Sequence, residues 1–181
     1  MLFRSADKPG LLIVGLAPGM HGANRSGRPF TGDFAGILLY QTLHKFGFSS
    51  APLSTHRDDG LVLKNCRITN AVKCLPPQNK PETGEIKQCN HYLADELKGL
   101  PKGAVVLALG GVAHQAVLMA LGARRSAHPF AHAAQHELHG GLRLVDSYHC
   151  SRYNTQTRRL TAVMFEQVFA DIQKILANGS K

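Results

Sequence analysis

The sequence predicts an α/β domain, a three-layer α/β/α sandwich around a central, mostly parallel four-stranded sheet. Three observations carry this. Four short apolar runs read as buried strands: Leu11–Leu16, Arg67–Val72, Ala104–Leu109 and Leu142–Tyr148. Segments with helical spacing of apolar residues lie between and after them. Strands that alternate with helices form a parallel sheet covered on both faces. No repeat, low-complexity tract or long linker divides the chain, so residues 1–181 are read as a single domain, a length that supports a real core.

The elements follow in order. The first strand runs into a glycine-rich stretch that ends at Asp33. After Asp33, apolar residues at Phe34, Ile37, Leu38, Leu43 and Phe46 predict a helix, with Gly47 as its stop. From Thr83, Ile86, Cys89, Leu93 and Leu97 share one helical face. Gly111–Leu121 and Thr161–Leu176 are also apolar on one side. His139-Gly140-Gly141-Leu142 predicts a hairpin turn feeding the last strand.

Composition narrows the partners. The chain carries a formal net charge of +9 and is 44% apolar, which points to a folded domain with a polyanionic partner. No apolar run is long enough to span a membrane, and residues 1–10 lack the apolar stretch of a signal peptide. The four cysteines, Cys66, Cys74, Cys89 and Cys150, are therefore read as thiols or metal ligands, not as a disulfide framework. No C-x-x-C pair is present.

In parallel sheets, ligands gather at the carboxyl ends of the strands. The richest exit is Gly15–Asp33, GLAPGMHGANRSGRPFTGD, with five glycines, two prolines and two arginines. Glycines such as Gly15 and Gly19, with Ala17 between them, let backbone approach a ligand; the plainer reading is a structural loop. The stretch matches neither of the familiar phosphate-binding glycine motifs. Asp33 is placed to cap the following helix, which also turns an oxygen toward the cleft. Phe30 is either a core anchor or a platform for a stacked base. Asn79 either stabilises a turn or offers the donor and acceptor that read a base edge. His149 leaves the last strand beside Ser151 and Arg152. The segment Ser147–Leu160, SYHCSRYNTQTRRL, suits contact with phosphates and an opened base stack; its plainer reading is a solvated loop. Arg124-Arg125, Lys98 and Lys102 extend the basic surface.

These stretches, with TNAVKCLPPQNKP (Thr69–Pro81), RSAHPFAHA (Arg125–Ala133) and SYHCSRYNTQTRRLT (Ser147–Thr161), resemble the family 5 (type b) uracil-DNA glycosylases in order and in length. The resemblance implies one α/β/α domain that flips uracil, and often hypoxanthine or xanthine, out of DNA and hydrolyses the N-glycosidic bond. It implies Asp33 as catalytic carboxylate, Asn79 as base-reading amide, His149 as the motif-two histidine and Phe30 as the stacking aromatic. Gly15, Ala17 and Gly19 would line the base site. Arg152, Tyr153 and Asn154 would form the wedge, with Arg158 on phosphate. Cys74 and Cys89 match half of the family's [4Fe–4S] ligand set. The N-terminal pair is missing from this chain and Cys66 and Cys150 stand elsewhere, so the expectation is no cofactor unless other ligands are supplied. The expected setting is a cytoplasmic monomer of a bacterium or archaeon, acting on double- or single-stranded DNA with deaminated bases, away from membranes. Two other readings stand beside this one: a DNA-binding member of the same fold with impaired catalysis, and a hydrolase of free nucleotides.

Overall fold

A computed structural model describes residues 8–20, 22–77 and 81–179. Asn79 and its neighbours Gln78 and Lys80 lie outside the described residues. Five strands form one sheet: β1 (Leu11–Gly15), β2 (Cys66–Asn70), β3 (Val105–Leu109), β4 (Gln135–Glu137) and β5 (Arg143–Ser147), in the order β2-β1-β3-β5-β4. The four long strands are parallel. The sheet is therefore one strand larger than the four predicted. The addition, β4, pairs antiparallel with β5 and closes the hairpin expected around His139–Gly141. It has three polar residues and no apolar run, so hydrophobic patterning could not reveal it.

The helices are α1 (Ala23–Ser26), α2 (Phe34–Lys45), α3 (Thr83–Lys98), α4 (Gly111–Ala120), α5 (Arg152–Gln156) and α6 (Ala162–Gly179). Side chains alternate across a strand, and the alternation sorts the core. Leu11, Ile13, Ile68, Val105, Leu107 and Val145 pack against Leu39 and Leu43 of α2 and Phe165 and Phe169 of α6. Leu12, Val14, Val106, Ala108 and Leu144 face the other way, against Leu93 and Leu97 of α3 and Ala113 and Val117 of α4. The sandwich is thus α2/α6, sheet, α3/α4.

Two elements differ in detail from their sequence pattern. In helix α2, Ile37 of the apolar spacing is exposed, while Leu39, Tyr40 and Leu43 are buried. The segment is apolar nearly all round, so spacing alone could not select the face. Strand β2 starts one residue earlier than expected, at Cys66, which is fully buried. Among the described residues, no helix is long and apolar enough to cross a membrane.

Candidate active site

Register and parity determine which groups meet. Gly15 ends β1 and pairs with Asn70, which ends β2. Both face the α2/α6 layer. Leu109 pairs with Ser147, so His149, two residues beyond β5, turns toward the same layer. The helix that fills this layer starts at Asp33. One sheet edge therefore collects Gly15, Phe30, Asp33, Asn70 and His149.

Asp33 is the N-cap of α2. Its Oδ1 accepts from the Gly36 amide at 2.9 Å. Burial raises its pKa, and the amides of Gly36 and Ala35 act against that rise. Its other oxygen, Oδ2, faces the glycine loop. A β-carbon on Gly22 would collide with Oδ2, and one on Gly19 would lie 3.6 Å from it. Those glycines leave the carboxylate an open side.

The loop before Asp33 is anchored rather than slack. Tyr40 donates to the Pro29 carbonyl at 2.8 Å. Thr31, fully buried, shares a 2.7 Å hydrogen bond with Ser54. Arg28 binds Asp59 at 2.5 Å and the Ser54 hydroxyl at 3.0 Å. Burial disfavours the Asp59 anion, but Arg28 and the Leu61 and Thr55 amides outweigh it and hold its pKa down to about 2. Arg28 is thus engaged in holding the loop. A cavity of about 390 Å³ opens beside this clamp, lined by Arg28, Tyr40, Leu61 and Ile68; none of the chemical groups of the sheet edge borders it.

Phe30 adopts φ 56°, a left-handed conformation that a bulky residue rarely takes. It is buried, and its ring edge lies over Gly15, where a β-carbon would come within 2.8 Å of Cζ. Its ring centroid is 6.0 Å from that of His149. Both sequence readings of Phe30, anchor and platform, are compatible with this position.

Asn70 is the residue that sequence reasoning missed. It is buried, and its Oδ1 finds no hydrogen-bond partner. The same oxygen would lie 2.5 Å from a β-carbon on Gly15, which places it beside Phe30. An unpaired buried amide oxygen is costly and needs a reason. His149 shows a second such atom: its Nδ1 is enclosed and unpartnered. Burial drives the His149 pKa down to about 4, so the ring is neutral near pH 7. Gly110, at φ 96°, passes close beneath its β-carbon. Ala17 follows β1 and is half-buried beside this edge.

A carboxylate, a neutral imidazole, an aromatic ring and an amide with a free acceptor therefore share one edge. The sequence profile of the Uracil DNA glycosylase superfamily matches residues 3–173. The chain belongs to the uracil DNA glycosylase superfamily. It is 49% identical over 165 residues to the type-5 uracil-DNA glycosylase of Thermus thermophilus, covering 91% of this chain and 75% of that one. It is 42% identical over 172 residues to the type-5 enzyme of Mycobacterium leprae, covering 94% and 75%. In fold it is similar to the crystal structure of Pedobacter heparinus SMUG2, with a TM-score of 0.58 at 14% identity over 94% of this chain and 77% of that one.

The remaining predicted residues of this superfamily member sit around the same edge. Ser151 caps α5 by accepting from the Asn154 amide. Arg152 places its guanidinium 5.0 Å above the Phe34 ring. Asn154 donates through Nδ2 to the His149 carbonyl at 2.8 Å, so it braces the histidine rather than projecting outward. Tyr153 projects instead, at 71% exposure. Arg158 is exposed at φ 57°, and Arg159 stacks on Tyr148 at 4.7 Å.

Cys74 and Cys89 meet. Partial desolvation, and then the neighbouring Cys89 thiol, raise the Cys74 pKa. Cys66 and Cys150 are fully buried in the α2/α6 core. The described cysteines bring two thiols together, and a [4Fe–4S] cluster requires four ligands. The residues of this chain do not by themselves fit that group.

Proposed function

We propose that this protein removes uracil from DNA by hydrolysing the N-glycosidic bond, leaving an abasic site. The observation that carries this reading is the unpartnered Asn70 oxygen beside Phe30, on the same edge as the half-buried Asp33 carboxyl. A uracil turned out of the helix would stack on the Phe30 ring. Asn70 Oδ1 would accept from uracil N3–H, and its amide N–H would donate to the O4 carbonyl. Cytosine offers no N3–H, so it would leave that oxygen unpaired, and such mismatches discriminate strongly. Substitution of each residue separates the role of Asn70 from that of Asn79, to which the family resemblance assigns base reading.

In the reaction, the C1′–N1 bond breaks and its electron pair leaves on uracil. Positive charge grows on the sugar. Asp33 would stabilise that charge and orient the water whose oxygen bonds to C1′; the water's proton ends on the uracil anion or in solvent. A neutral His149 donates an N–H toward uracil O2 as negative charge develops there. Such preorganised donors supply several kcal/mol in a dry site. Tyr153 would enter the base stack, while Arg152 and Arg158 meet the backbone. Duplex and single-stranded DNA, and hypoxanthine or xanthine as further substrates, belong to the same proposal, as do a monomeric state and a cytoplasmic location.

We further propose that this chain holds no intact iron–sulfur cluster from its own cysteines. Protein purified without oxygen should be colourless; about four irons per chain would overturn this. The catalytic reading is tested by single-turnover excision on duplexes that each carry one uracil, hypoxanthine or xanthine. Binding without any excision would reject it.

A further inference from the structure

A second cluster of polar groups lies on the opposite face of the sheet. Asp146 of β5, His136 of β4 and His114 of α4 place three donor atoms within 4.8 Å of one another. Asp146 is fully buried, and His114 is nearly so. His114 Nδ1 stands 2.8 Å from Asp146 Oδ1. His136 Nε2 stands 3.4 Å from Asp146 Oδ2, but the two are not aligned as a hydrogen bond, and neither has another partner. None of these three residues takes part in the chemistry proposed above.

The protonation pattern makes the cluster unusual. His114 Nε2 lies 2.9 Å from the His128 carbonyl. A carbonyl only accepts, so Nε2 carries the proton. In the neutral ring, Nδ1 is then a bare lone pair facing a carboxylate oxygen at hydrogen-bond distance. Two acceptors in a buried site repel unless a positive charge sits between them. The second oxygen of the same carboxylate faces a second imidazole nitrogen, His136 Nε2, without hydrogen-bond geometry. One cation shared by three donors satisfies all of them at once.

We propose that His114, His136 and Asp146 form a binding site for a divalent metal ion of the zinc class. Two imidazoles and one carboxylate are a ligand set that suits zinc and its borderline neighbours. Tetrahedral zinc with bonds near 2.0–2.1 Å separates its ligands by about 3.3 Å. The His136 Nε2–Asp146 Oδ2 separation of 3.4 Å is close to this, while His114 Nδ1 faces the other carboxylate oxygen at 2.8 Å, so the ion would draw on both oxygens or turn the carboxylate toward one. The Nε2–H of His114, donating to a backbone carbonyl, is the orientation that metal-bound histidines adopt. His136 sits on the short edge strand with its side chain 11% exposed, so the cluster lies one side chain from solvent, although Nε2 itself is enclosed. The site would tie β4, β5 and α4 together three residues ahead of His149.

The test uses full-length protein with Cys74→Ser and Cys89→Ser, which removes the competing thiolates. Equilibrium dialysis against Zn²⁺ should give one ion per chain, and Co²⁺ should give the intense visible bands of a tetrahedral site. Saturation at about a hundredfold over Kd should raise the unfolding midpoint by roughly 5–10 °C. His136→Gln, at the accessible edge, should abolish both the stoichiometric binding and the midpoint shift while keeping the far-UV circular dichroism of the parent. Asp146→Asn should do the same for binding if it folds. Absence of stoichiometric binding in the parent, or unchanged binding in His136→Gln, would overturn the proposal and leave a proton as the shared cation.

Discussion

Phe30 is held in a left-handed conformation that costs of order 1–3 kcal/mol. The surroundings enforce it: Tyr40 grips the preceding carbonyl, and Gly36 is the only residue type that leaves room for the Phe30 carbonyl. Strain kept at this point positions the ring over Gly15 and delivers Asp33 to the helix start. Asp33→Asn should lower single-turnover excision by roughly 10²–10⁴-fold with DNA affinity nearly unchanged; a wild-type rate would end its assignment. Asn70→Ala should cost about 1–3 kcal/mol of transition-state binding, whereas Asn79→Asp serves as the matched comparison. If only the latter slows excision, the base is read by Asn79. The acidity of His149 gives a further expectation. The unfolded chain takes up a proton on this residue near pH 6.5, the folded chain only near 4. Its contribution to stability is therefore present above pH 6.5 and is lost as pH falls through that window. Urea midpoints of parent and His149→Gln, measured across pH 4–7, should converge toward acid. The sequence singled out Asp33 as a helix start and His149 as a strand exit, whereas Phe30 stood out only as an aromatic within the glycine-rich loop. Asn70 was not, because it closes an apolar strand and reads as core until its oxygen is seen to lack a partner.

Elements carry their own expectations. The start of α2 works only if the glycine loop stays clear of Asp33. Gly22→Ala would push a methyl group into Asp33 Oδ2. Excision should fall while the far-UV circular dichroism and the unfolding midpoint move little; an unaltered rate would show that the loop can yield. Helix α5 is short and braced at one end by Ser151, and it presents Tyr153 outward with Arg158 beyond its last turn. Arg158→Ala should reduce the slope of log K against log salt by about 0.9 if the side chain neutralises one phosphate. Arg159→Ala should have a different signature, because its guanidinium supports Tyr148. At this scale the sequence located the four long strands within two residues and every long helix within three, the largest difference being the end of α6. It could not choose the buried face of α2, where apolar residues surround the helix, nor see β4, whose Gln-His-Glu is recruited to the sheet by the hairpin and by Asp146, which exchanges backbone hydrogen bonds with Ala133 and Ala134.

For the whole molecule, the alternation of strand and helix sufficed to predict a parallel sheet with layers on both faces, because the two central strands, β1 and β3, are apolar nearly throughout. Convergence of the strand exits followed from the same topology. What lay beyond reach were contacts between residues distant in sequence, such as His114 with Asp146 or Arg28 with Asp59. The two layers meet at β1 and β3, so truncation there should be felt globally. Leu107→Ala removes a fully buried side chain in the central strand and should cost about 2–5 kcal/mol in denaturant unfolding. A loss below 1 kcal/mol would mean that the core collapses around the gap.

The register of β1 has a consequence for the chain as it is made. Leu11 lies between Cys66 on one side and Val105 on the other. The strand Leu-Leu-Ile-Val-Gly is therefore synthesised before either of its neighbours and waits for both. It gains its first partner when β2 emerges and its second only when β3 does. Non-local pairing of this kind slows folding and leaves apolar edges open to other chains. The segment that supplies Gly15 to the site is thus also the point at which a nascent chain is most exposed to aggregation. Conditions that lengthen the wait, such as slowed translation between residues 70 and 105, should lower the soluble yield more than equal slowing after β3 has emerged.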